Sequence, residues 1–79
     1  MNLQRKRHLI ERMLRFIDEY FRHFGRPVPL RVVSAYYLYS MDKHAGGMHT
    51  VLEELEADGT IEVRMKLSGG KLILRRRDR

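Results

Sequence analysis

Four basic side chains flank a double glycine near the C-terminus and could together bind an anion. Arg64 and Lys66 precede Gly69-Gly70 in the stretch EVRMKLSGGKLILRRR, and Lys71 and Arg75 follow it. Arginine makes paired hydrogen bonds to phosphate, and lysine binds phosphate as a point charge. The pattern predicts a phosphate-binding hairpin; the alternative is a solvated basic face that serves solubility.

The alternation of residue types predicts how this hairpin would be paired. Apolar and polar residues alternate along both runs, which is typical of half-buried strands. Gly69-Gly70 fits a two-residue hairpin turn. That turn would place Leu67 opposite Leu72 and Met65 opposite Leu74, with the apolar residues of both strands on one face.

The same register predicts a repulsion between basic side chains. It places Arg64 opposite Arg75, with the two lysines nearby on the outer face. Like charges directly opposite each other destabilise a sheet. Glu62 opposite Arg77 would neutralise only part of this charge, so we expect an anionic ligand to relieve the repulsion.

Signatures of catalysis and of metal binding are missing from the sequence. The stretch SGGK lacks the spacing of a phosphate-binding nucleotide loop, and no serine has the sequence context of a catalytic nucleophile. Cysteine is absent, and His44 and His49 are five residues apart, which does not place them on one helix face. We expect no enzymatic activity, no cofactor and no metal.

The first 25 residues predict a long amphipathic helix. Its apolar residues recur with helical spacing, and Gly25 provides a stop. The wide apolar stripe fits core packing. Its surplus width predicts in addition a homodimer interface, to which we assign Met13, Phe16 and Tyr20.

Two further segments follow the break GRPVP. The run LRVVSAYYLYSM fits a helix with Pro29 in its first turn and one face formed by Leu30, Val33, Tyr37 and Met41. Its β-branched and aromatic residues also fit a strand. In DKHAGGMHTVLEELEADG, the apolar residues from Met48 to Leu55 fit one face of a helix that Gly59 closes. Asp42 could cap this helix, although Gly46-Gly47 disfavour so early a start.

Composition restricts the class of protein. The chain has 79 residues, so a single domain is expected, and its net charge of +6 favours an anionic partner. No apolar run is long enough to cross a bilayer, and no signal peptide is recognisable. We therefore expect a soluble, cytoplasmic protein.

The order of these segments resembles the winged helix-turn-helix family, with residues 27–75 carrying the likeness. The resemblance implies an α+β, mainly α fold of three helices followed by a two-stranded hairpin wing. It divides one domain, 1–79, into a first helix (1–25), a helix-turn-helix (27–59), a wing (60–76) and a tail (77–79). The second segment would be helical. The matching residues are Val51, Leu52, Leu55, Gly59, Ile61, Val63, Gly69, Gly70, Leu72 and Leu74.

The resemblance also implies a function and a set of contacts. The third helix would enter the major groove of double-stranded DNA, and the wing would touch the phosphate backbone. We expect a sequence-specific transcriptional regulator that acts as a homodimer on half-sites about 10 base pairs apart. The predicted DNA-binding residues are Arg31, Lys43, His44, His49, Thr50, Arg64, Lys66, Lys71 and Arg75.

Alternative functions remain open on the sequence. The same fold could be a protein-interaction module that docks on an acidic partner. RNA binding is less favoured, because the strands lack interleaved aromatic residues for stacking. The basic run Arg5–Arg7 at the start of the first helix could reach a flanking phosphate or be a solvated end.

Overall fold

The computed structural model describes residues 3–76, which form three helices and a three-stranded antiparallel sheet. The predicted α+β, mainly α class is confirmed. In chain order the elements are α1 (Leu3–Phe24), β1 (Val28–Pro29), α2 (Leu30–His44), α3 (Met48–Ala57), β2 (Ile61–Met65) and β3 (Lys71–Arg75).

Helix α1 lays one apolar stripe against the rest of the molecule. Met13 and Ile17 are fully buried and Leu14 nearly so, as the helical spacing of these residues requires. The helix ends at Phe24, where Gly25 adopts a φ of 70° and donates its backbone N–H to the carbonyl of Phe21. Because Met13 has no exposed surface, its assignment to a homodimer interface is wrong.

The ambiguous second segment is helical. Pro29 is the N-cap residue of α2, where a fixed φ and a missing N–H cost nothing. Val33 and Met41 face the core from this helix. Just before it, Val28 and Pro29 form the short strand β1. This strand was not predicted from the sequence, because two residues are too few for a period-two pattern.

A three-residue turn, Ala45–Gly47, joins α2 to α3. The N-cap residue of α3 is Gly47 and not Asp42, so the early start considered for this helix is wrong. Asp42 still contributes to the helix start, since its Oδ1 accepts a hydrogen bond from the backbone N–H of Met48 at 3.0 Å. It does so from the last part of α2. Lys43 and His44 therefore belong to the end of α2 and do not begin the third helix, which corrects their predicted placement.

The sheet has the strand order β1-β3-β2, with β3 in the centre. Ile73 pairs with Val28 on one side and with Val63 on the other. It is almost fully buried, as is Ile61 on β2. The sheet thus holds the start of α2 beside the hairpin, because β1 runs directly into that helix.

The predicted register of the hairpin is wrong. Each residue of β2 pairs with a residue of β3 that lies three positions earlier in the sequence than predicted. Met65 pairs with Lys71, and Arg64 pairs with Leu72. The backbone N–H of Lys66 donates to the Gly70 carbonyl at 2.7 Å, and that of Gly69 donates to the Lys66 carbonyl at 2.9 Å.

These bonds close a three-residue loop, 67–69, in which Gly69 has a φ of 95°. The pattern is that of a hairpin loop closed by a G1 bulge, which leaves only Gly70 of the glycine pair in the ladder. The apolar residues therefore do not share one face: Leu72 and Leu74 lie on the side of Glu62 and Arg64. Leu67 lies in the loop and is fully exposed.

The core is a single cluster of apolar side chains between the helices and the sheet. In the part of the chain that the structure describes, no polar or charged residue is buried. No helix within residues 3–76 has both the length and the apolar character needed to cross a membrane. The same residues contain no group of three or more potential metal-ligating side chains.

Candidate nucleic-acid interface

An open groove of about 430 Å³ lies between the hairpin loop and the start of α2. The pairing of β1 with β3 creates it, because this pairing holds Pro29 opposite Leu72 and brings the first turn of α2 next to the hairpin. Its lining residues are Pro29, Leu30, Arg31, Ser34, Lys66, Gly69, Gly70 and Lys71.

Three basic side chains line this groove and come from three separate elements. Arg31 belongs to the first turn of α2, Lys66 follows β2 at the loop, and Lys71 begins β3. Within residues 3–76, no carboxylate lies within 4.0 Å of any of the three. We call these three side chains the groove cations. Their positive charge is therefore not neutralised by an ion pair in the described chain.

The backbone at the start of α2 adds a second source of positive potential. The first N–H groups of a helix have no partner inside the helix, and the helix dipole makes this end positive. Pro29 makes no side-chain capping bond, and the first turn of α2 contains no acidic residue. The groove thus combines three cations with a helix end that favours an anion.

Two of the predicted wing cations have internal partners. The Nε of Arg64 lies 2.9 Å from Oε2 of Glu62, and Nη1 of Arg75 lies 3.8 Å from Oδ2 of Asp18 on α1. The hydrogen bond from Arg64 lowers the pKa of Glu62 below its ordinary value.

The predicted repulsion between Arg64 and Arg75 is wrong, because the cross-strand partner of Arg75 is Ile61. The partner of Glu62 is Leu74. The remaining partner in that prediction, Arg77, lies outside the described residues. The charge argument for an anion at this end of the hairpin therefore fails, and the groove cations replace it.

Helix α3 presents both of its predicted contact residues to solvent. His49 and Thr50 are exposed in its first turn. Nε2 of His49 lies 3.1 Å from Oε2 of Glu53, one turn further along. The exposed surface then becomes acidic, with Glu54 and Glu56 beyond Glu53. Only the first turn of α3 therefore presents a surface that is not dominated by carboxylates.

A small cavity of about 120 Å³ connects this turn to the groove. Leu30 and Lys71 line both spaces, and His49 lines the cavity from the side of α3. Glu53 and Glu56 also line it, with Leu52, Val63 and Ile73. The structure thus brings four predicted residues onto one continuous surface: Arg31, His49, Lys66 and Lys71.

Two other predicted residues lie elsewhere. The Nζ of Lys43 donates to the hydroxyl of Tyr39 at 3.2 Å. Lys43 is twelve residues from Arg31 on the same helix, which corresponds to about 18 Å along its axis. His44 is half-buried at the end of α2. Neither residue lines the groove.

The basic run at the start of α1 is not a free arm throughout. Nζ of Lys6 lies 3.7 Å from Oε1 of Glu54 on α3. The two larger concavities on α1, of about 510 and 490 Å³, are each lined by residues of this one helix. They are spaces between neighbouring side chains on a convex surface, so we do not consider them binding sites.

Ser34 and the backbone N–H groups at the start of α2 were not predicted from the sequence as parts of a site. Two features of the sequence could have indicated them: Pro29 stands where a helix can begin, and no acidic residue follows in the first turn. Together they indicate a helix start with unsatisfied N–H groups. That signal became specific only when the pairing of β1 with β3 placed this helix start beside the hairpin.

Comparison with known proteins identifies no relative. No protein-family model, no curated protein and no solved structure matches the chain. The functional assignment therefore depends on the residues and geometry described above.

Proposed function

We propose that this chain is a winged-helix protein that binds double-stranded DNA, with the groove cations on the phosphate backbone and the first turn of α3 at the major groove. A role in transcriptional regulation is part of this proposal. The observation that carries it is the convergence of Arg31, Lys66 and Lys71, without carboxylate partners in the described chain, at the start of α2.

The connection between α2 and α3 supports this proposal. Helix-turn-helix motifs join two helices by a three- or four-residue turn that often contains glycine, and the second helix enters the major groove. The turn Ala45–Gly47 has this length and contains two glycines. The hairpin follows α3 after three residues, so it is held at the side of the helix-turn-helix.

The acidic surface of α3 restricts how the helix could read DNA. Carboxylates repel phosphates, so α3 would present its N-terminal end to the groove and keep Glu54 and Glu56 away from the backbone. His49 and Thr50 would then reach base edges. Glu53, which lies next to His49, would be positioned to accept a hydrogen bond from the amino group of cytosine.

Fluorescence anisotropy of a labelled random-sequence duplex tests the proposal. Phosphate contacts release counterions, so the affinity should fall steeply between low and near-physiological salt. Binding with this salt dependence supports the proposal. A duplex that does not bind even at low salt would remove it.

A second candidate function is a protein-interaction module for an acidic partner. The three exposed glutamates of α3 favour it, because they disfavour insertion between two phosphate backbones. The same groove would then bind carboxylates. Competition between the labelled duplex and polyglutamate decides between the two: displacement at equal charge concentration favours the protein partner, and retention of the duplex favours DNA.

A further inference from the structure

Helix α2 has apolar residues around its whole circumference. Val33 and Met41 face the core, whereas Tyr36 and Tyr39 point outward with exposed fractions of 69% and 73%. A surface helix normally carries polar residues on its outer side. On α2, the polar residues Arg31, Asp42 and Lys43 share the exposed side with these two large aromatic residues. The outer face of α2 is therefore left uncovered in the monomer.

This face continues onto α1 through contacts between aromatic rings. The ring centroids of Tyr36 and Phe16 are 5.1 Å apart. On α1, Phe16 contacts Tyr20 at 6.3 Å, and Tyr20 contacts Phe24 at 4.6 Å. Phe24 is itself more than half exposed. We call the surface formed by Phe16, Tyr20, Phe24, Tyr36 and the exposed Tyr39 of α2 the aromatic face.

We propose that the aromatic face is where a second copy of this chain binds, with Tyr36 and Tyr39 of α2 at its centre. At about 200 Å² for each aromatic side chain, the exposed parts of Tyr36, Tyr39 and Phe24 amount to about 400 Å² per copy. A two-fold dimer uses the same patch twice, so these residues supply about 800 Å². Specific interfaces bury at least about 1,000 Å², and the half-buried Phe16 and Tyr20 beside them provide additional area.

The composition of the face favours a second copy over a charged partner. Interface centres are enriched in tyrosine and phenylalanine and depleted of charge. One charged group lies beside the centre of the face: the ammonium group of Lys43 is 5.5 Å from the ring centroid of Tyr39 and donates to its hydroxyl. The proposed interface therefore differs from the one predicted on α1. Phe16 and Tyr20 are now flanking residues, and the centre lies on α2.

This interface does not overlap with the groove. Around the axis of α2, Arg31 lies about 140° from Tyr36 and about 80° from Tyr39, and Tyr39 lies about 12 Å further along that axis. None of the residues of the aromatic face lines the groove. A dimer through the aromatic face therefore leaves the groove cations of both copies exposed. The inference does not depend on the proposed function, because it concerns the chain without DNA.

Sedimentation equilibrium of the full chain, without nucleic acid, tests this proposal. We expect the mass to rise with concentration from 9.5 kDa to twice that value. The double variant Tyr36→Ser/Tyr39→Ser should weaken the dimer at least tenfold. The control Leu3→Ser/Met65→Ser changes two apolar residues of matched exposure, 74% and 64%, and should leave the dimer unchanged.

Disulfide trapping provides a second measurement, because the chain contains no cysteine. Under mild oxidation, Tyr36→Cys and Tyr39→Cys should cross-link between copies at least ten times faster than Met65→Cys. A wild-type chain that remains monomeric at the highest concentration overturns the proposal and leaves the face for a different protein. Equal cross-linking of all three variants, or equal weakening by the control, also overturns it.

Discussion

Removing the two lysines of the groove should change DNA binding far more than removing two arginines of the same hairpin. The variants are Lys66→Ala/Lys71→Ala and Arg64→Ala/Arg75→Ala. Each removes two positive charges from a chain whose net charge is +6. They differ in that the arginines contact Glu62 and Asp18, whereas the lysines have no carboxylate within 4.0 Å among residues 3–76.

The size of the difference follows from counterion release. Each phosphate contact contributes a slope of about −0.9 to the logarithm of affinity against the logarithm of salt, so three groove cations contribute about −2.7 and a single one about −0.9. Between about 50 and about 200 mM salt, these contacts weaken binding about 40-fold in the unmodified chain and about 4-fold in the lysine variant. The arginine variant should retain the steep dependence.

Fluorescence anisotropy with the same duplex at four or five salt concentrations measures these slopes. Circular dichroism of both variants confirms that they are folded. If the two double variants have equal slopes, the hairpin acts only through its total charge and the assignment of the groove is refuted. A shallower slope for the arginine variant than for the lysine variant would refute it as well.

Three further predictions concern the fold and its ion pairs. Met13→Ala should lower the free energy of unfolding by about 2–5 kcal/mol, because it opens a cavity in the core, and urea denaturation measures this. Gly69→Ala should lower the free energy of unfolding by about 1–2 kcal/mol, because Gly69 has a positive φ. Gly70→Ala should be nearly neutral, because its added methyl group makes only an ordinary contact. Equal effects of the two substitutions would contradict the three-residue loop. The hydrogen bond from Arg64 lowers the pKa of Glu62 in the folded state. The Glu62 carboxylate therefore stabilises the fold at pH values above the usual glutamate pKa of about 4.3. This stabilisation is lost as the pH falls through the lower pKa of the folded state. NMR titration of Glu62 should show its pKa return toward the ordinary value in Arg64→Ala.

The parts of the fold that were predictable from sequence are those with a strong local period. Helix α1 follows from its apolar spacing, and the buried face of α3 follows from Met48, Val51 and Leu55. Strand β1 was not predictable, because its two residues pair with β3 across more than forty positions in the sequence. Its existence depends on tertiary pairing that no local pattern encodes.

The hairpin register shows why the candidate site was predicted only in part. Both a two-residue loop, Gly69-Gly70, and a three-residue loop, 67–69, fit the sequence LSGG, and they give different pairings. The glycine pair suggested the shorter loop, but Gly69 alone supplies the positive φ that the longer loop requires. Consequently the partners predicted for Arg64 and Arg75 were wrong. The predicted place of Lys71 on the outer face was wrong as well, because Lys71 pairs with Met65 on the side of Ile73.

The positions of the carboxylates, more than the number of basic residues, determine which surface of this chain can bind an anion. Glu62 and Asp18 neutralise one arginine each at the sheet, and Glu54 lies beside Lys6 of α1. These pairs leave Arg31, Lys66 and Lys71, at the place where α2 begins, without a carboxylate within 4.0 Å among residues 3–76. There the cations come from three separate parts of the chain beside the positive end of α2, so a ligand that contacts all three must present an acceptor to each of them. A phosphate backbone, with a charged group on every nucleotide, has such acceptors, which is why we favour a polymeric anion as the partner.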